Sequence, residues 1–559
     1  MEIPVDPGWL SLLPPILAIV LALIFREVIL SLFAGIWLGA LLLNGFDPLT
    51  ATLRSIDQFT LGALTEDGDH VAIAMFSLLL GGMVGVMSRS GGTRGIVEAL
   101  RPLATSARRS QFFTWLAGIF IFFDDYANTL IVGNTMRPVV DRLRVSREKL
   151  AYIVDSTAAP MAAIAVISTW VGFEITLIGD SLRAAATATP DPAVTAELIA
   201  GADNPFTVFL HSIPFLFYPI LALVFVALVV LTGRDFGPMR EAEIRARSGG
   251  GLTRPGSMPA ADVSGGIMEP PDETPHRWYN AGIPVIAVIV AALAGIYFTG
   301  RAGLEGPGPF TMRDIVGEAD PFRTLLWASF LGCIVAIALA VAQKLLSLTH
   351  ALEAWLGGMR AMFLAIVILV LAWGLGDVTE ALGTGPYLSS LLQDTLPLAA
   401  LPVLVFLVAA GISFATGTSW GTMAILFPVV VPLAVAMGAG VGFAGGDDYT
   451  ILLGVISSVM AGSIFGDHCS PISDTTVMSS MASACDHIDH VRTQLPYAVT
   501  VALVAMAVGD IPTAFGVSPW VSMLLGVAIL YGILRVFGKP IDTPVPAAAP
   551  EPVAVTAQS

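Results

Sequence analysis

Two adjacent carboxylates inside an apolar run are the first residues of this sequence that can do chemistry. The segment Phe120-Ile-Phe-Phe-Asp-Asp-Tyr-Ala-Asn-Thr129 sets Asp124 and Asp125 among aromatic and aliphatic neighbours. An acid within a membrane span costs about 2.5–3.5 kcal/mol on insertion, so its presence points to function. Two like charges in a dry site cannot both ionise cheaply, so one of the pair holds a proton or a metal cation. Asn128 and Thr129 supply neutral oxygens a turn further on. A structural alternative has Asp124 capping a broken helix and Asp125 paired with an arginine such as Arg137.

A second polar cluster is Gly466-Asp-His-Cys-Ser-Pro-Ile-Ser-Asp-Thr-Thr476, again between apolar stretches. A hard cation takes oxygen ligands. Asp467, Ser470, Ser473, Asp474, Thr475 and Thr476 provide them, with carbonyls freed around Pro471. The absence of Lys and Arg and the wealth of hydroxyls set this stretch apart from an ordinary loop, and it reads as an unwound ion site. His468 titrates in the working pH range and reads as a proton-linked neighbour of Asp467. Cys469, Cys485, His487 and His490 fit no closed zinc template, and His487 and His490 are expected on a solvated face at the membrane surface.

The two clusters echo each other. Asn128-Thr129 precedes Pro138-Val-Val140 by the spacing at which Thr418-Ser419 precedes Pro428-Val-Val430, and Asp155-Ser-Thr-Ala-Ala-Pro160 is answered by Asp467-His-Cys-Ser-Pro471. Paired Gly- or Pro-interrupted apolar segments in corresponding halves are the sequence mark of a transporter's binding site. Weaker signals are Glu174, a lone acid near a span end that can reach the interface, and Asp377 with Glu380, which fit an outer approach or a loop. Gly417-Thr-Ser-Trp-Gly421 has the spacing of a hydrolase elbow and Gly440-x-Gly442-x-x-Gly445 that of a dinucleotide loop, but neither has the strand that such chemistry needs.

The elements that must hold these residues follow from composition. Of 559 residues, 55% are hydrophobic and 13% charged, against roughly 45–50% and roughly 25% for a soluble domain. Apolar runs of spanning length recur along the chain, so the fold class is an all-α polytopic membrane protein of about 12–14 segments. The net charge of −16 is spread over loops, linker and spans and points to no nucleic-acid partner. Residues 1–8 lack the basic region of a cleavable signal, so the first span is expected to persist. Three cysteines make no disulfide framework.

A membrane half, 1–232, is followed by a hydrophilic, cytoplasmic linker, 233–278, a second membrane half, 279–539, and a disordered tail, 540–559. The basic stretches from Arg89 to Arg109 and from Arg137 to Lys149 belong inside, and the acidic loop Thr65-Glu-Asp-Gly-Asp69 outside. The piece between Arg109 and Arg137 is too short to cross twice. A re-entrant hairpin with Asp124 to Thr129 at its tip resolves this, the alternative being that one basic loop lies outside.

The strings Phe465-Gly-Asp-His-Cys-Ser-Pro-Ile-Ser-Asp-Thr-Thr476 and Cys485-Asp-His-Ile-Asp-His-Val-Arg-Thr-Gln-Leu-Pro-Tyr497 resemble the signature of NhaC-type sodium/proton antiporters. So do Phe123-Asp-Asp-Tyr-Ala-Asn-Thr129, Asp155-Ser-Thr-Ala-Ala-Pro160 and Leu371-Ala-Trp-Gly-Leu-Gly-Asp377. The resemblance covers most of the membrane part and excludes linker and tail. It implies two inverted repeats, each with a re-entrant hairpin and a broken helix, in a multi-pass protein of the cell membrane. It also implies exchange of Na+ for H+ with no cofactor beyond those ions, and adds Asp155 and Thr157 to Thr418, Ser419 and the residues above as site candidates. The same wider family includes exchangers of organic acids and amino acids. The expected partners are lipid and small ions, and a homo-oligomer is compatible with the sequence.

Overall fold

The computed structural model describes residues 8–541 apart from 26, 66–67, 190, 259–273, 305–314, 316–318, 385–386, 388–389, 392–395 and 439–447. Residues 66–67 of the acidic loop, the Gly440 motif, the middle of the linker and nearly all of the tail therefore lie outside the described residues.

The chain is built from helices, with one two-stranded antiparallel pairing of Arg234–Asp235 and Lys539–Pro540. Among the described residues nine helices are long and apolar enough to cross a membrane, and a bent pair, Pro205–Phe215 with Phe217–Thr232, makes a tenth. Two shorter apolar helices, Gly8–Ala22 and Ile29–Leu43, come first. The nine helices, the bent pair and the two shorter helices make twelve apolar segments among the described residues, the lower end of the 12–14 expected.

Helices Tyr279–Gly303, Phe322–Ala342 and Pro519–Val536 expose rows of large apolar side chains such as Ile286, Leu293, Phe330 and Leu524, as lipid-facing helices do. At the centre, 89% and 83% of the most apolar 18-residue stretch is buried in Ser419–Gly438 and Tyr449–Cys469, respectively. A cost-bearing polar group is tolerated there because protein, not acyl chain, surrounds it. The helix ending at Cys469 packs closely on Leu401–Thr416 through Gly462 and Gly466, where an added Cβ would fall 2.5 Å from the Phe406 carbonyl oxygen and 2.4 Å from that of Ala410. Small residues four apart are the usual way for membrane helices to approach.

An order of elements occurs twice. A helix pair, Ala107–Phe120 with Asp125–Arg142, is followed by an interrupted helix, Arg147–Thr157 with Ala159–Ala162. Later, Leu401–Thr416 with Ser419–Gly438 precedes Asp448–Cys469 with Asp474–Ala482. The first pair's arms of 14 and 18 residues rise about 21 and 27 Å, short of the roughly 30 Å hydrocarbon core. Each arm of the second pair passes as a full span.

Residues 234–258 do not lie free in solvent as their polarity led one to expect. Gly237–Arg247 is a helix with Met239, Ala242, Glu243 and Ala246 buried. Lys149, fully buried, pairs with Asp235, to which the Tyr497 hydroxyl donates at 2.5 Å. Glu243 accepts from the Ser146 backbone N–H and hydroxyl, both at 2.8 Å. Arg245 donates to Glu148 at 2.8 Å and Arg254 to Asp489 at 2.8 Å. This segment thereby clamps the ends of Arg147–Thr157 and His487–Val504. Beside it, burial pushes the Asp486 carboxyl up, but the backbone N–H groups of Met258, Asp489 and Ile488, with the Arg254 guanidinium, together hold it below its ordinary value. A carboxyl depressed by folding contributes stability above its unfolded value and loses it as pH falls through the folded one. Hydrogen exchange over 252–258 is thus expected to stay slow from neutrality down to about pH 4 and to quicken only in stronger acid.

Candidate functional site

Each interruption in the four helical elements exposes backbone groups, and each is met by a polar side chain. After Phe120 the helix stops, and Asp124 restarts it: its φ of −159° is extended, and its carboxylate accepts from the Ala127 N–H at 2.7 Å. The structural alternative for Asp124 is therefore realised, while Asp125 lies buried in the first turn. The Asn128 amide donates to the carbonyls of Gly118 at 2.7 Å, Ile121 at 3.2 Å and Thr157 at 2.8 Å, tying this break to the interrupted helix beside it. The Asn128 Oδ1 and the Thr129 hydroxyl oxygen are buried and have no hydrogen-bond partner among the described residues. Unsatisfied buried acceptors are rare, and oxygens of this kind fit a dehydrated cation.

In the second pair, Gly417 turns the chain with φ of +73°, and a Cβ there would lie 2.7 Å from the Ile472 carbonyl oxygen. The two breaks of the second half thus touch through a residue that only glycine suits. Gly417→Ala is expected to cost at least about 1–2 kcal/mol from the backbone alone, read as a lower thermal unfolding midpoint in detergent. Beyond it, the half-buried Thr418 accepts from the Gly421 N–H at 3.4 Å, and the Ser419 hydroxyl donates to Asp467 Oδ2 at 3.2 Å.

The interrupted helices meet at Asp155, which is buried. Its carboxylate accepts from Thr476 at 3.3 Å, Ser479 at 3.2 Å and the Gln494 amide at 2.6 Å. His468 and His490 each bring Nε2 to 3.8 Å of the same carboxylate. Thr476 also reaches the Asp467 carbonyl at 3.5 Å. Residues more than three hundred positions apart therefore converge, and contacts run from Asn128 through Thr157 and Asp155 to Thr476, Asp467 and Ser419. Thr157 donates to the Ile153 carbonyl at 2.9 Å, Ser470 to that of Phe414 at 2.7 Å, and Ser473 caps the next helix and lies 3.0 Å from the Thr475 hydroxyl. Asp474 opens that helix, but its side chain lies outside the described residues.

His468 is held on both ring nitrogens, 3.0 Å from the Ser156 hydroxyl and 2.7 Å from that of Tyr218, and its ring approaches Asp155. His490 is not on a solvated face: it is fully buried, with Nε2 2.9 Å from Gln494 Oε1 and Nδ1 2.9 Å from Ser480. His487 is only partly covered and contacts the Pro471 carbonyl at 2.6 Å. Gln494 and Tyr218 escaped the sequence reading. The i, i+4 spacing of His490 and Gln494 was a usable signal for the first, whereas a lone tyrosine in an apolar run offers none for the second. Glu174 does not reach the interface but is fully buried. Asp377 and Glu380 line a cavity with His70 and Asp180. Among the described residues no group of three or more His, Cys, Asp or Glu could hold a metal ion, so a cation held by a carboxylate here would draw its other ligands from hydroxyls, amides and carbonyls.

Helices of spanning length around interrupted helices with buried carboxylates define a multi-pass membrane transporter. The chain belongs to the Na+/H+ antiporter family, whose sequence profile it matches over residues 167–509. An uncharacterised protein of Haemophilus influenzae is 33% identical over 509 residues, 90% of this chain and 91% of the relative. The malate-2H(+)/Na(+)-lactate antiporter of Bacillus subtilis is 39% identical over a short stretch of 83 residues, 15% of each chain. The crystal structure of the Alcanivorax borkumensis YdaH transporter superposes with a TM-score of 0.47 at 17% identity, covering 88% of this chain and 90% of that one. The protein is a secondary transporter.

Proposed function

We propose that the protein exchanges Na+ for H+ across the cell membrane by alternating access, with the two halves acting as inverted repeats around the Asp155–Asp467 cluster. The observation that carries this reading is the convergence on Asp155 of Thr476, Ser479 and Gln494 from the opposite half of the chain. A carboxylate so placed takes a proton or a sodium ion on the same oxygens, so binding one expels the other. Asp467, Asp124 and Asp125 extend the acidic surface, and Asp474 stays a candidate with them. Asn128, Thr129, Thr418, Ser419, Ser470, Thr475 and Thr476 offer neutral oxygens. His468 and the His490–Gln494 pair give protons a path to Asp155. No lysine or arginine stands in the sequence of the site segments 123–129, 155–160, 418–421 and 465–476, which favours a cation over an anion.

A second reading has an organic acid exchanged on the same fold, favoured by the short match to a malate and lactate antiporter. There the helix starts near Asn128 and Ser419 would hold a carboxylate. Proton movement in proteoliposomes separates the two. Release on adding sodium alone supports Na+/H+ exchange, and release only with malate or lactate present supports the second reading.

A further inference from the structure

Glu174, in the helix Val171–Thr187, is fully buried, and neither of its carboxyl oxygens has a hydrogen-bond partner among the described residues. An isolated ionised carboxylate in an apolar interior costs several kcal/mol even after relaxation, so in this conformation the group carries its proton. Leu177 and Ser181 follow at i+3 and i+7, on the same helix face. Both line a cavity of about 210 Å³ whose walls include His70, Asp180, Asp377 and Glu380. His70 Nε2 lies 3.1 Å from both Asp180 oxygens, and its ring stacks on Trp373 at 3.8 Å. The Ser181 hydroxyl is buried, borders the cavity and has no partner among the described residues. A hydroxyl both donates and accepts, but seven residues along a helix span about 10 Å, so Ser181 takes the Glu174 proton only through water that enters between them.

We propose that Glu174 is a proton-binding site of the exchange cycle, loaded and emptied through the His70–Asp180–Asp377–Glu380 cavity by way of Ser181. This rests on the Na+/H+ reading and adds a proton site apart from the Asp155 cluster. Its proton leaves to cavity water when the helix shifts enough to hydrate the carboxyl, and returns when the cavity is acidified. The titratable and charged groups around this helix are His70 on Gly68–Arg89 and Asp377 and Glu380 on Phe363–Ala381. Its own later turns add Asp180 and Arg183, Pro192–Asp203 adds Glu197 and Asp203, and Pro205–Ser212 adds His211. Ser419–Gly438 contributes no such group, only Trp420, 4.4 Å from Phe173 between ring centres.

The test uses the full chain in proteoliposomes, with sodium-driven proton release and radioactive sodium counterflow measured side by side. Glu174→Gln, a shape match for the protonated acid, is expected to lower proton release at least about tenfold while counterflow stays within about twofold. Glu174→Asp is expected to restore part of the proton release. Proton release within about twofold of wild type in Glu174→Gln would overturn the proposal. So would loss of both fluxes in both variants, which marks a purely structural residue. Should the Na+/H+ reading itself fail, wild type would release no protons with sodium. The infrared carbonyl band of a protonated carboxyl, present in wild type and missing from Glu174→Gln, still checks the proton on this residue whatever ion is carried.

Discussion

Replacing Asp155 by asparagine is expected to abolish sodium-driven proton release, by more than about 100-fold, while leaving the protein folded. Asparagine keeps the volume and one oxygen toward Thr476 and Gln494, and its amide N–H can donate to the Ser479 hydroxyl, so the hydrogen bonds that position the two interrupted helices survive in large part. What disappears is the negative charge and the group that binds a proton. A neutral amide cannot alternate between a proton and a cation. Stopped-flow proton release from proteoliposomes measures the loss, and the unfolding midpoint in detergent checks that the fold stands. Exchange near the wild-type rate would move the ion site away from Asp155.

Asp235→Ala is expected to unfold the end of the protein that the 234–258 segment clamps. Lys149 is fully buried, its Nζ 5.5 Å from the Tyr497 ring centre and 5.8 Å from that of Tyr152, and Asp235 is its ion-pair partner. The nearby Glu243 is committed to Ser146. Breaking a buried pair from one side leaves an uncompensated charge and costs about 3–5 kcal/mol, whereas replacing both partners by apolar groups is often neutral. The double variant Asp235→Ala with Lys149→Met is therefore expected to recover most of the stability that the single one loses, as thermal unfolding in detergent would show. A single variant as stable as wild type would mean that the 234–258 segment does not hold these helices.

Membrane character, the pairing of the Asn128 and Ser419 regions and the cluster around Asp467 could be read directly, because each rests on local composition. An acid or a proline in an apolar run stands out whatever folds around it. His490 and the linker could not be read in the same way. His490 lies among Asp486, Asp489 and Arg492, a surface-like neighbourhood by local charge, and Ser480, the remote Asp155 and the Gln494 one turn later make its burial tolerable. Residues 234–258 are polar because they form ion pairs with Glu148, Lys149 and Asp489, partners far away in sequence, and local polarity cannot tell solvent from a distant countercharge. Glu174 belongs to the same class: position in the chain set it near a span end, and packing alone decided that its side chain turns inward. The shortness of Ala107–Phe120 was legible through the placement of basic residues on either side, and the full length of Leu401–Thr416 and Ser419–Gly438 through two apolar runs of spanning length that meet at Gly417.

Sodium binding to the purified protein, followed by calorimetry at several pH values in buffers of different ionisation enthalpy, tests most directly whether one set of oxygens serves both ions. Competition predicts that each sodium bound releases protons and that the apparent affinity weakens by up to about tenfold per unit of acidification over the titrating range. Sodium binding that neither releases protons nor changes with pH would contradict it.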